Sequence, residues 1–305
     1  MIVKEKDYLE QALQDLESIA QLADIRDDTR AKVERELKIM RAGERGEANS
    51  AYFIDFHYRN KDNWAVIHDL RIEYGGNVAQ IDHLLINRIL EFYVLESKSY
   101  AYGVKITERG EFLFWYNNHY IPVESPIEQN KRHILVLEQL LKRENLLPKR
   151  LGMTLSPTFK PYVLVAPKSR VIRPSAKVFN TDMVIKSDEL FRQIETNFGS
   201  MGALSMTTAV TKMVAKETLE QIAHQLISYH HPITIDYYAK FGIVKPSAAP
   251  QPVQNNEQFE AAPTTSGYFC YRCKQAISRK VAVFCFQNKQ RFGGKAYCFD
   301  CQKAF

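Results

Sequence analysis

Apolar residues at Leu9, Leu13, Leu16, Ile19 and Leu22 recur every three or four positions, and a second run places Val33, Leu37 and Met40 in the same way. This period predicts amphipathic helix from residue 4 to about residue 50. Between the two runs, Asp24-Ile25-Arg26-Asp27-Asp28-Thr29 weakens the apolar stripe and predicts a break, so the segment reads as a helical hairpin packed on the domain that follows. A coiled-coil arm joining two copies of the chain is the less favoured alternative, because the repeat is not sustained. Gly43-Glu44-Arg45-Gly46-Glu47-Ala48 opens a further helical segment carrying Tyr52, Phe53 and Phe56.

The period then changes to two. Strands are predicted at Trp64–Ile67, Leu70–Glu73, Ala79–Ile86 and Glu91–Lys98, with a turn at Gly75-Gly76-Asn77. A hairpin of Gly103–Ile106 with Phe112–Tyr116 closes through Glu108-Arg109-Gly110-Glu111. Ser125–Arg143 reads as a helix with Pro126 in its first turn and Ile134, Leu137 and Leu141 facing inward. Tyr162–Ala166 reads as a buried strand, and Met183-Val184-Ile185 followed by Asp188–Phe191 as strand, N-cap and helix. Thr207–Ser228 is predicted as one helix that pairs with the N-terminal helices. The fold class is therefore α/β, a mixed central sheet flanked by helices.

Composition changes the picture at the C-terminal end. The net charge of +6 is a property of residues 267–305, which carry eight basic residues and one acid, or +7; the remainder carries −1. Four zinc-bound thiolates would bring that tail to about +5. A compact basic module rich in aromatic residues favours a polyanion, with nucleic acid expected as the partner. Lys245–Gly267, with four prolines among Ala, Gln, Asn and Thr, reads as a tether. The N-terminal residues Met1–Asp7 show no apolar signal core and no apolar run approaches a bilayer span, so a cytoplasmic protein without a membrane partner is expected.

Two constellations carry chemistry. The first is Gln80-Ile81-Asp82 with Glu96-Ser97-Lys98. A tight return centred on Ile89 sets position 82 opposite position 96, and any register with an even sum keeps Asp82, Glu96 and Lys98 on one face. Leu85, Tyr93 and Leu95 then face the other, buried side. Two carboxylates and an ammonium on an apolar hairpin are costly without a partner. Magnesium, or manganese, held by Asp82, Glu96 and the Ser97 carbonyl is the natural one, and it would activate a water against a phosphodiester. Glu47 and Gln129 are candidates to assist. The second constellation is Cys270-x-x-Cys273 and Cys298-x-x-Cys301, the spacing of a four-thiolate zinc site. Cys285, inside the apolar run Val281–Phe286, reads as a packed residue on a strand, and Gly293-Gly294 as a turn. His83 is expected on the opposite strand face from Asp82. His133, one helical turn beyond Gln129, reads as structural unless its helix turns it to the site.

Four elements in order, Gly43-x-x-Gly46-Glu47, Gln80-Ile81-Asp82-His83, Tyr93-Val94-Leu95-Glu96-Ser97-Lys98 and Ser125-Pro126-x-x-Gln129, resemble the nuclease-related domain (NERD) family of the PD-(D/E)xK restriction-endonuclease-like superfamily. The resemblance implies a metal-dependent nuclease acting on DNA, with Asp82, Glu96 and Lys98 catalytic and Glu47 and Gln129 assisting. Ser125 stands where the family usually has Asn, and Ser99 where Asn is usual; neither removes a group the chemistry needs. The tail is similar to a zinc ribbon, structural and able to grip nucleic acid or to dock a protein. The chain then divides into a helical arm (1–40), the nuclease-related domain (41–197), a helical extension (198–244), a linker (245–266) and the ribbon (267–305). A non-catalytic interaction module on a nuclease-like fold is the competing class.

Overall fold

A computed structural model describes residues 1–7, 9–245, 268–277, 281–282, 285 and 289–302. The expected linker lies almost wholly outside these residues. The chain separates into two compact units, Met1–Lys245 and Pro246–Phe305.

In the first unit, strand β1 (Ile2–Lys4) precedes helices α1 (Glu10–Ala20) and α2 (Asp27–Tyr58). Strands β2 (Trp64–Tyr74), β3 (Asn77–Asn87) and β4 (Glu91–Lys98) follow, then the short strands β5 (Val104–Ile106), β6 (Phe112–Tyr116) and β7 (His119–Val123). Helix α3 (Pro126–Arg143) leads through β8 (Lys149–Arg150) and β9 (Met153–Thr154) to β10 (Thr158–Val165), β11 (Val171–Ile172) and β12 (Val184–Lys186). Helices α4 (Leu190–Gly199), α5 (Ala203–Lys212), α6 (Lys216–Ser228) and α7 (Tyr237–Lys240) close the unit. No described helix is long and apolar enough to cross a membrane.

The main sheet has the order β1-β2-β3-β4-β10-β12, antiparallel from β2 to β4 and parallel elsewhere. One face packs on α3 and α6 through Leu137, Leu140, Leu141, Leu219, Ile222 and Leu226. The other packs on α2 and α4 through Ile54, Tyr58, Leu190 and Ile194. This is the helix-flanked mixed sheet the sequence predicts, with both faces dry, which explains why β4 reads as a continuous apolar run rather than an alternation.

Several local readings change. The run over Gly43–Ala48 does not begin a new helix: α2 continues unbroken from Asp27 to Tyr58, because its C-terminal half is held down by the sheet and tertiary packing outweighs the cost of two glycines. The helix expected over Thr207–Ser228 breaks at Met213–Ala215, where the Val214 N–H bonds the Arg88 carbonyl on the β3–β4 turn. It is α7 that meets the N-terminal helices: Tyr237 and Tyr238 are buried against Leu16, Ile19 and Val33. The apolar stripe considered for a dimer arm is thus covered within the chain.

In the second unit, β13 (Tyr268–Phe269) pairs with β14 (Ala276–Ile277), and short helices α8 (Lys289–Phe292) and α9 (Phe299–Gln302) follow. The strand expected over Val281–Phe286 is corrected: its described residues Val281, Ala282 and Cys285 are helical. A short apolar run fits a buried helical turn as well as a strand.

Candidate active site

The β3–β4 return is built by Asn87, whose side-chain oxygen accepts hydrogen bonds from the Ile89 and Glu91 N–H groups at 3.1 and 3.0 Å. Leu90 takes the left-handed conformation (φ 58°) that closes the turn. The resulting register pairs His83 with Leu95 and Leu84 with Val94, which sets Asp82 opposite Glu96. Leu85, Tyr93 and Leu95 enter the core against α2 and α4, and Lys98 meets Gln129 of α3, with Glu96 two residues before it on the same face of β4.

A feature of β2 and β3 that pattern reading missed lies at the same level. Ile67 and Leu70 face one core layer, as do Ile81 and Leu84, although strict alternation would separate each pair. Both strands switch face at one rung, where pairing passes from His68–His83 directly to Leu70–Ile81. Asp69, with φ 50°, makes the switch on β2, and Asp82 lies at the switch on β3.

Around this rung the polar groups converge. Asp82 and Glu96 are buried. Asp82 Oδ2 accepts from the Ser97 N–H at 2.7 Å. The Lys98 ammonium donates to Glu96 Oε1 at 2.7 Å and to Gln129 Oε1 at 3.1 Å. Gln129 sits in the first turns of α3, whose N-cap Ser125 accepts from the Glu128 N–H. The neighbouring Asn130, buried, donates to the Val94 and Tyr162 carbonyls at 2.8 and 3.1 Å, and so fastens α3 to β4 and β10. His133, one turn on, places Nδ1 3.7 Å from Glu96 Oε2. It therefore does face the site.

Glu47 reaches the same neighbourhood from α2. Its carboxylate is held by the Lys6 ammonium at 2.6 Å, and Lys6 also meets Asp69 at 3.3 Å. The approach of α2 depends on Gly46: a Cβ there would stand 2.8 Å from the Ser99 Cβ, just beyond the end of β4. The glycine motif is a spacer between a helix and a strand end. Lys6 carried no sequence signal, since it joins Glu47 from 41 positions away through the docking of β1 beside β2.

Burial pushes the Asp82 carboxyl well above its ordinary range, and repulsion from Glu96 and Glu47 adds to this against the Ser97 N–H and Lys98. Burial likewise raises Glu96, opposed mainly by Lys98. His133 is lowered to about 4 by burial, with Arg132 and Lys98 contributing, and is neutral near pH 7. The set fits a hard divalent cation: two buried carboxyl groups held above their ordinary range, with Glu96 Oε2 lacking any hydrogen-bond partner. Among the described residues, the only cluster of three or more His, Cys, Asp or Glu with ligand atoms close enough to share an ion is the cysteine set.

Behind the strand, Ser97 Oγ lies 3.1 Å from His83 Nε2, His83 Nδ1 2.8 Å from His68 Nδ1, and His68 Nε2 3.0 Å from Asp55. His83 therefore lies on the α2 side of the sheet, linked through His68 to Asp55. Burial holds it well below its ordinary value and therefore neutral.

In the second unit the ligand atoms of Cys270, Cys273, Cys298 and Cys301 lie within 4.8 Å of one another, with Cys273 and Cys298 sulfurs 3.6 Å apart. Sulfurs at the corners of a zinc tetrahedron stand about 3.8 Å apart, so the four thiols could hold zinc. Cys285 is buried and takes hydrogen bonds from the Tyr297 N–H and the Gln302 amide, apart from the four.

Residues 42–166 match the family model of the nuclease-related domain, NERD. That segment contains Glu47, Asp82, Glu96, Ser97, Lys98 and Gln129. No curated protein and no solved structure matches the chain.

Proposed function

We propose that this chain is a divalent-metal-dependent nuclease that hydrolyses phosphodiester bonds in DNA, with the four-cysteine tail assisting nucleic-acid binding. The observation that carries this reading is the buried facing of Asp82 and Glu96 across β3 and β4, with Lys98 bonded to Glu96 on the same face.

Asp82, Glu96 and the Ser97 carbonyl would hold magnesium or manganese, which when bound polarises a phosphodiester oxygen and lowers the pKa of a water. The chain's own groups do the rest. The Ser97 N–H fixes the Asp82 carboxylate. Lys98, aimed by Glu96 and Gln129, stands ready to orient the attacking water and to neutralise charge that develops on the phosphate. Gln129 limits the positions open to that ammonium, and Glu47 contributes negative potential from behind Lys6.

The test is cleavage by the purified full chain of supercoiled, linear duplex and single-stranded DNA and of RNA, with magnesium, manganese or no added metal. Metal-dependent cleavage that falls by about a hundredfold or more in Glu96→Gln and in Lys98→Met supports the reading. Undiminished cleavage by Glu96→Gln refutes the mechanism.

A further inference from the structure

The small sheet β11-β5-β6-β7 builds a cavity that the mechanism above does not use. Its volume is about 320 Å³ and its walls are Tyr102, Gly103, Val104, Trp115, Tyr120, Arg170 and Ile172. Three aromatic rings and one guanidinium line it, and no carboxylate does. Trp115 and Tyr120 meet edge to face at 4.8 Å, and the Lys105 ammonium lies 5.6 Å from the Tyr120 ring. Tyr102 is 68% exposed. The Arg170 guanidinium is exposed and makes no hydrogen bond or ion pair among the described residues.

The backbone is shaped to make this cavity. Gly103 has φ 113° and passes so close to β11 that a Cβ would stand 2.7 Å from the Arg170 carbonyl. The Val104 N–H bonds that carbonyl at 2.8 Å. A side chain at position 103 would separate the walls.

Its position is also specific. Lys98 ends β4 and pairs with Val165, which ends the parallel strand β10. The chain runs from Lys98 to Gly103 on one side and from Val165 to Arg170 on the other, five residues each. Five residues span at most about 18 Å, so the cavity lies within a few nucleotides of the Lys98 ammonium. It opens beyond the carboxyl ends of parallel strands, the usual place for ligands in such sheets.

We infer that this cavity receives an unpaired nucleobase of the substrate strand, which makes single-stranded nucleic acid, or a duplex end or gap, the preferred substrate class. The inference rests on the nuclease reading. A flat aromatic face stacks on any base, and a cation at the rim meets the adjoining phosphate. The volume sits at the lower end of the range of about 300–1,000 Å³ for small-ligand sites, too small for a duplex.

The chain has two tryptophans, and the other, Trp64, is in the core. Trp115 emission in a full-length Trp64→Phe variant therefore reports on this cavity and not on the cysteine tail. Oligothymidylate, added without magnesium, is expected to quench it, and a blunt duplex of equal length is not. Tyr102→Ala and Arg170→Ala, in the wild-type background with a fluorescently labelled strand, should each weaken single-strand binding about fivefold or more and leave duplex binding unchanged. Absent quenching with unchanged affinities, or equal quenching by duplex, overturns the inference. Metal-dependent cleavage with a silent Trp115 would remove the cavity's role alone. Strand-specific quenching without cleavage in any metal would instead remove the nuclease reading alone.

Discussion

Glu96 Oε2 and His133 Nδ1 face each other at 3.7 Å, both buried, and neither has a hydrogen-bond partner. A neutral imidazole offers that oxygen no counter-charge, so Lys98 compensates only the other carboxylate oxygen. The site is electrostatically incomplete in a way that one small cation would complete.

This imbalance predicts how stability follows pH without added divalent metal. Asp82 and Glu96 have raised folded values, so their contribution is present at acid pH and is lost as pH climbs past the ordinary 3.8 and 4.5 towards the raised ones. His133 has the opposite sign. It is lowered from 6.5 to about 4, so its contribution holds above 6.5 and is lost as pH falls through 4. Melting temperature should therefore decline on both sides of a mildly acidic optimum. Magnesium or Glu96→Gln should flatten the alkaline limb, and His133→Gln the acid limb. Identical profiles for the wild type with and without magnesium would show that these carboxylates bind no metal.

The close contact at Gly46 makes a second prediction. Gly46→Ala must displace α2 or the Ser99 segment, at a cost of about 1–3 kcal/mol, and should cut cleavage more than it cuts substrate affinity. Gly43→Ala meets nothing nearer than the Glu47 carboxylate at 4.0 Å, and should stabilise α2 by up to about 1 kcal/mol with activity intact. Urea melts and initial rates on the two variants test the contrast; equal behaviour would deny Gly46 its spacer role.

For the tail, one zinc per chain is expected by elemental analysis. Cys273→Ser should abolish it, and Cys285→Ala, which removes a thiol outside the four, should retain it. Chelation should unfold the tail and leave residues 1–245 folded, as followed by amide exchange. Zinc lost on Cys285→Ala would place the fifth thiol in the set.

The two units differ in formal charge. Deleting residues 246–305, which carry eight basic residues against Glu257, Glu260 and Asp300, removes +5 and leaves +1, so DNA affinity should drop, and its dependence on salt should become shallower, because fewer counterions are released. Binding isotherms from 50 to 200 mM salt decide this. Matching slopes would turn the tail into a protein-docking module.

The β3–β4 register was legible because a tight turn and a period of two leave little freedom: position 82 had to face 96 once the return centred on Ile89. Gln129 was legible through its resemblance motif. What escaped were relationships between distant segments. Nothing local marks Lys6 as the partner of Glu47, or Asn130 as the clasp between α3 and two strands. The glycines at 43 and 46 read as a helix start because propensity is local, whereas α2 is held by the sheet beneath it. The face switch at Asp69 escaped for a further reason: the left-handed residue there is an aspartate, without the glycine that would have announced it.

That switch has a mechanical consequence. The ladder between β2 and β3 is the longest antiparallel pairing in the described sheet, and it skips one rung, at Asp69 and Asp82. Amides there should exchange with solvent faster than those at Ile67 or Leu84. An acidic residue is thus mounted on the most yielding crossbar of a stiff frame. Adjustment of Asp82 to an arriving ion can come from the sheet itself, with no loop required to move.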